Sequence, residues 1–218
     1  MSSPVSDRRA LLRATLATPL LLTGCGGKRP WHGIDVTGTS PSLAFSMQRV
    51  SDGREVTAAT YRGDIVMLYL GYTFCPDVCP TTLANVAAVF KRLGKDADRI
   101  RFLFVTVDPG RDTLPVLRTY LANFGPHMVG LRGTPDQLVA LARRFRLVYS
   151  VRPSPDPAKY EVTHSSAIYV FDAHGAARLL IPSLAAAHPD LAGTAADLRR
   201  LVGQGHPTGL VGQLLRTL

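Results

Sequence analysis

Two cysteines stand four residues apart in the run Gly71-Tyr72-Thr73-Phe74-Cys75-Pro76-Asp77-Val78-Cys79-Pro80. A pair at that spacing has three chemical uses: binding a soft metal ion, exchanging disulfides, or closing an inert bond. An inert bond across so short a loop constrains little of the unfolded chain and stabilises little. Both remaining uses need the thiolate, and an unperturbed cysteine ionises only near pH about 8.5. The two prolines bear on how a thiolate is favoured. Proline suits the first position of a helix but deletes a hydrogen bond inside one. A helix beginning at Pro80 puts Cys79 near its N-cap and Cys75 in the loop before it. The partial positive charge of a helix start favours thiolates there. The same sulfurs can also join as a disulfide if their β-carbons come within about 3.8 Å.

Two thiolates select Cu(I) or Zn(II), and imidazole accepts both as well as Cu(II). The chain has six histidines. His32 lies in a Gly- and Pro-containing N-terminal stretch, His127 and His188 adjoin prolines, His174 sits in a turn and His206 in the tail. His164 lies in Val162-Thr163-His164-Ser165-Ser166, just before an apolar run. A polar loop residue and a metal ligand are both open there on position alone.

The elements that must position these groups follow from periodicity. Residues 44–49 alternate as a strand and Ser51-Asp52-Gly53 is a turn. Residues 65–72 and 100–107 are unbroken apolar runs of strand length, which suits strands covered on both faces. Leu83, Val86, Ala87, Phe90 and Leu93 recur at helical spacing, with Gly94 as the stop. Residues 113–123, 135–145 and 189–203 read as further helices, and residues 167–171 and 176–181 as strands flanking the turn Asp172-Ala173-His174-Gly175. Strands and helices alternate in the front half, and a hairpin follows. That pattern specifies an α/β domain with a central mixed sheet flanked by helices. The cysteine loop then lies at the carboxyl end of a strand, where open α/β sheets gather their sites. In the segment Val107-Asp108-Pro109-Gly110-Arg111-Asp112-Thr113, Asp108 ends a strand and Asp112 is placed to cap the next helix. Tyr72 and Phe74 read as packing around the site. Asp77 is either a carboxylate facing a ligand or partner, or a solvated loop charge.

The composition is that of a globular chain: 46% hydrophobic and 19% charged over 218 residues, with a net charge of +9. A core of this size needs no disulfide staples. The charge is diffuse, with no run of five basic residues and no basic segment interleaved with aromatics, so nucleic acid is not an expected partner. Residues 1–24 have a secretory signal's order: polar residues ending in Arg8-Arg9, a short apolar run, then small residues. Leu22-Thr23-Gly24-Cys25 resembles a bacterial lipobox, which implies cleavage before Cys25 and lipidation of its thiol. Of three cysteines that leaves Cys75 and Cys79 as one pair in an oxidising compartment. The expected organisation is a signal over residues 1–24, a lipid-anchored tether over 25–42, the α/β domain over 43–205 and a tail over 206–218.

The cysteine run, the VDP-G-RDT run from Val107 to Thr113, and Tyr160 through His164-Ser165 closely resemble the SCO/SenC family over about residues 43–203. The resemblance implies a thioredoxin-like fold holding one copper ion, Cu(I) or Cu(II), through Cys75, Cys79 and His164. It implies delivery of copper to the binuclear copper centre of cytochrome c oxidase during assembly, or reduction of that centre's cysteines. Partners would be the oxidase subunit carrying that centre, or another periplasmic copper protein. The setting would be the periplasmic side of the inner membrane. The family usually has Asp before the histidine, where this chain has Thr163, and an orienting carboxylate is therefore missing at that position.

Other functions compete. A thiol–disulfide oxidoreductase would use Cys75 and Cys79 as its catalytic pair, but thioredoxins space their cysteines by two residues and carry a cis-proline before a nearby strand. Three residues separate this pair, and Val162 to Ser166 contains no proline. A peroxiredoxin needs Thr and Pro three and seven positions before its reactive cysteine, and neither Cys75 nor Cys79 has them. A copper or redox sensor would use the same site. The reading favours a carrier over an enzyme.

Overall fold

A computed structural model describes residues 30–156 and 160–205. The signal segment, Cys25 and the tail with His206 lie outside the described residues. The strands and helices are, in chain order, β1 (Ile34–Asp35), β2 (Ser46–Arg49), β3 (Glu55–Thr57), β4 (Ile65–Gly71), α1 (Val78–Leu93), β5 (Ile100–Thr106), α2 (Leu114–Ala122), β6 (Met128–Arg132), α3 (Pro135–Phe145), β7 (Tyr149–Arg152), β8 (Glu161–His164), β9 (Ile168–Phe171), β10 (Ala177–Ile181) and α4 (Leu191–Gln204). Among the described residues eight strands form one sheet in the order β1-β10-β9-β4-β5-β6-β2-β3. β4, β5 and β6 run parallel, and β9 is antiparallel to β4. The result is the expected thioredoxin-like layout of a mixed sheet flanked by helices.

The apolar runs explain the centre. Every residue of β4 is buried, and so are all but one of β5. Such strands need cover on both faces, and Tyr69, Phe102, Phe104, Phe145 and Phe171 are among the largest side chains fully buried there.

Three expectations are corrected, and one strand has no reading in the sequence. β6 shows no pattern because Gly130 interrupts a short run. A Cβ there would meet Leu121 Cδ1 and Val50 Cγ2 at 2.8 Å, so close packing demands the glycine and hides the strand. The stretch assigned to the tether is folded in from Trp31: β1 pairs with β10, and the His32 and Gly33 N–H groups donate to Asp197 at 2.9 and 2.8 Å. α1 begins at Val78 rather than Pro80. Pro80 occupies the third helical position, whose N–H has no partner inside the helix, so it costs nothing there. Finally, His164 is not in a loop. It ends β8, which pairs only with β7 as a separate hairpin, Tyr149 opposite His164.

Candidate metal centre

The cysteine loop leaves the sheet at Gly71, which faces Thr106 in register. A Cβ on Gly71 would sit 2.6 Å from Phe104 Cε2 and 3.0 Å from Tyr69 Cε1. Only glycine lets the chain pass over these rings. Beyond it the Cys75 N–H donates to the Tyr72 carbonyl at 3.3 Å, which bends the loop back. Asp77 is the N-cap of α1, and the Thr81 N–H closes the first helical turn onto its carbonyl at 3.1 Å. Cys79 is then the second residue of the helix, and its N–H donates to Cys75 Sγ at 3.4 Å. The helix start thus aims a peptide dipole at the Cys75 sulfur.

The hairpin brings in the third group. Cys79 Sγ lies 3.2 Å from His164 Nε2. The three donor atoms of Cys75, Cys79 and His164 lie within 4.8 Å of one another, the one such group of His, Cys, Asp or Glu among the described residues. The Ser165 carbonyl, 3.0 Å from His164 Nδ1, can only accept, so Nδ1 carries the ring proton. Nε2 therefore presents its lone pair to the sulfurs, the form that ligates a metal. The imidazole stands edge-on to Tyr69 and Tyr72, each with ring centres 5.7 Å away. Thr163 points the other way along the strand and bonds Ser150 across the hairpin at 2.8 Å. A carboxylate at position 163 would not reach the ring in this arrangement; the Ser165 carbonyl does the orienting.

In the reduced pair, donation from the Cys79 thiol, then from the Cys79 and Asp77 N–H groups, holds Cys75 well below the usual thiol range. The same shared proton and burial push Cys79 up. Cys75 is half-buried and Cys79 is buried. Ionised at low pH and reachable, Cys75 should react first. One equivalent of iodoacetamide on the metal-free reduced chain is expected to label Cys75, at a rate nearly flat from pH 8 to pH 6. Peptide mass mapping reads the site. Labelling of Cys79 first, or a rate falling about tenfold per pH unit as for an ordinary thiol, contradicts the assignment.

The VDP-G-RDT segment braces this site through Asp108, Arg111 and Asp112 and caps a helix through its last residue. Thr113, not Asp112, caps α2. The fully buried Asp112 carboxylate accepts from the Thr73 N–H at 3.1 Å and from the Thr73 and Thr106 hydroxyls at 2.5 Å. Burial pushes that carboxyl up. Asp108, also buried, pairs with Arg111 at 2.5 Å and accepts from the Tyr160 hydroxyl. The Arg111 guanidinium lies 3.8 Å from the centre of the Tyr160 ring and 4.9 Å from that of Phe74. It thus ties the cysteine loop to the start of the His164 strand. Phe74 is not interior packing: it is 58% exposed, with Arg111 over its ring. Asp77 is exposed and bonds the Thr81 hydroxyl at 3.3 Å.

A cleft of about 480 Å³ opens beside the sulfurs, lined among others by Cys75, Val78, Val162, His164, Ala185 and Ala186. The Ala-rich segment after β10 carries no sequence signal for a site. Asn85 holds it there by donating to the Leu184 carbonyl at 2.7 Å. Two of the other described histidines serve elsewhere: His32 meets Asp190 at 3.1 Å, and His127 packs on Phe90.

Comparison with known proteins gives one family: the SCO1/SenC model matches residues 44–202. The chain is 38% identical over 125 residues to the mitochondrial SCO2 homolog of Bos taurus, which is 56% of this chain and 47% of that protein. It is 37% identical over 115 residues to an SCO2-like protein of Rickettsia felis, 52% of this chain and 56% of that one. The chain spans about half the length of these curated relatives. Among solved structures, that of Bradyrhizobium japonicum ScoI with copper bound matches with a TM-score of 0.66 and 33% identity, covering 74% of this chain and 99% of that one.

Proposed function

This chain belongs to the SCO1/SenC family, and from that premise we propose that it is a copper carrier of the bacterial cell envelope. Cys75, Cys79 and His164 hold one copper ion and pass it to the binuclear copper centre of cytochrome c oxidase during assembly. The observation that carries this reading is the convergence of two sulfurs and a proton-free imidazole nitrogen within 4.8 Å. Thiolate and imidazole donors suit copper in either oxidation state. Cys75 and His164 line an open cleft, from which an incoming sulfur ligand can displace them before the buried Cys79. The similar ScoI protein has been solved with copper bound.

Reduced full-length chain in detergent is expected to retain one copper per chain. Cys75→Ser, Cys79→Ser and His164→Ala should each weaken binding by more than about a hundredfold, the upper end of what loss of an outer partner costs. Unchanged binding in His164→Ala sinks the ligand set. No copper in the parent chain, with fast reduction of generic disulfides, replaces the reading altogether.

That second outcome corresponds to a specific alternative, favoured by the contrast between a reachable, acidic Cys75 and a buried Cys79. The pair would reduce an acceptor's disulfide: two thiols become one disulfide, and two electrons and two protons pass to the acceptor. Residues 1–24 are proposed as an export signal and Cys25 as the lipid-bearing residue. No helix among the described residues is long and apolar enough to cross a membrane. A mature chain beginning at Cys25 with acyl chains attached is the expected mass; an unmodified Cys25 refutes the anchor.

A further inference from the structure

Tyr69 lies on β4, two residues before the glycine at which the cysteine loop leaves the sheet, and is fully buried. Its hydroxyl donates to Cys79 Sγ at 3.7 Å, within the reach of a large sulfur acceptor, with the buried Thr82 side chain beside it. Its ring supports His164 edge-on, the planes 88° apart. One side chain therefore touches two of the three donors from beneath, while the cleft reaches His164 and Cys75 from outside. A hydrogen bond to an ionised acceptor is about twice as strong as a neutral one and draws charge off that acceptor. Hydrogen bonding at a cysteine sulfur is one of the levers that sets a copper–thiolate site's properties. In the reduced pair the Cys79 thiol donates to the Cys75 thiolate, and the bond accepted from Tyr69 strengthens that donation; the disulfide has no such charge to stabilise.

We propose that Tyr69 is a positioning residue whose hydroxyl sets the donor strength of the Cys79 sulfur, weakening its hold on copper and stabilising the dithiol. The inference rests on the copper reading above for its first half only; the dithiol half stands without copper. Tyr72, in the same edge-on relation to His164, braces the ring from its other contact, so the ring's placement does not depend on Tyr69 alone. The hydroxyl is thus separable from the fold: Tyr69→Phe removes one oxygen and keeps both ring contacts.

The test compares the full-length parent chain, Tyr69→Phe and a control, Tyr169→Phe. The control also removes a buried hydroxyl, one that donates to the Phe145 carbonyl at 2.9 Å. Three quantities are read: copper per chain, the energy of the sulfur-to-Cu(II) charge-transfer band, and the dithiol–disulfide equilibrium in a glutathione buffer. Tyr69→Phe is expected to keep one copper per chain and to move the band to lower energy. Its dithiol should become about tenfold less favoured, roughly 30 mV for this two-electron couple. Tyr169→Phe should move neither band nor equilibrium. An unchanged band and equilibrium in Tyr69→Phe, or equal shifts in both variants, overturns the proposal. If the parent chain takes up no copper, the carrier reading fails by itself, and the equilibrium alone decides Tyr69: a tenfold shift sustains it and no shift overturns it.

Discussion

Asp112→Ala is expected to lower the unfolding free energy by about 3–5 kcal/mol and to loosen the cysteine loop. The fully buried carboxylate satisfies the half-buried Thr73 N–H and two threonine hydroxyls. Each buried donor left without a partner costs about 1–3 kcal/mol. A hydroxyl can turn to another acceptor, whereas the Thr73 N–H is fixed by the backbone, which bounds the total. With a urea slope of about 2 kcal/mol/M, the midpoint should fall by roughly 2 M at unchanged slope. The sign of the acid effect is also defined. Burial raises this carboxyl in the fold, so the folded state holds the proton more tightly than the unfolded chain. Its protonated form therefore adds stability at low pH that is lost as pH rises past the ordinary carboxylate range. Asp112→Asn resembles that neutral form and should cost clearly less than alanine at pH 7. A loss below about 1 kcal/mol in Asp112→Ala would show that the brace is dispensable.

Gly71→Ala is expected to cost about 3 kcal/mol through crowding rather than backbone strain. The new methyl would meet Phe104 Cε2 at 2.6 Å and Cζ at 2.7 Å, and Tyr69 Cε1 at 3.0 Å. Both rings are fully buried, with no room to retreat. Overpacking a well-filled core costs about 1–3 kcal/mol and sometimes more, and here it is met on two sides. For a chain of this size the melting temperature should fall by roughly 6–12 °C. Copper retention should weaken as well, because the displaced residue begins the loop that carries both sulfurs. Gly203→Ala is the contrast: an exposed helical position with nothing within 4 Å of the added methyl. It should gain up to about 1 kcal/mol. Equal behaviour of the two variants would remove close packing as the reason for Gly71.

Elements whose residues carry their own pattern were readable without a structure. β4 and β5 are unbroken apolar runs because both their faces are covered. α3 has Thr134 accepting from the Gln137 N–H with Pro135 just inside, so its start is written locally. β6 was hidden by Gly130, which serves Leu121 and Val50 rather than its own strand. β7 and β8 are four residues each, on a hairpin apart from the main sheet with most residues exposed, so neither offers a run long or apolar enough to read. Asp112 misled for a related reason. An acidic residue before a helix is a sound capping signal, but the carboxylate found stronger donors across the fold.

The candidate site divides along the same line. By itself the sequence determined that Cys75 and Cys79 work together, since four residues and a helix start place two sulfurs side by side whatever surrounds them. It also pointed to export, an expectation under which partners outside the cell's thiol pool would keep that pair reduced or metal-bound. Tertiary structure alone decided the rest. His164 is 85 residues from Cys79 in the chain and reaches it because β8 ends opposite Tyr149 and the ring stands against Tyr69 and Tyr72. Its tautomer comes from a carbonyl, which no side-chain pattern records. Asp112 and Arg111 brace the cysteine loop, and the Tyr69 hydroxyl reaches the Cys79 sulfur, from other elements. Spacing along a chain encodes neighbours within a turn or a loop; contacts between distant elements depend on strand register and on which side chains fill the space between them.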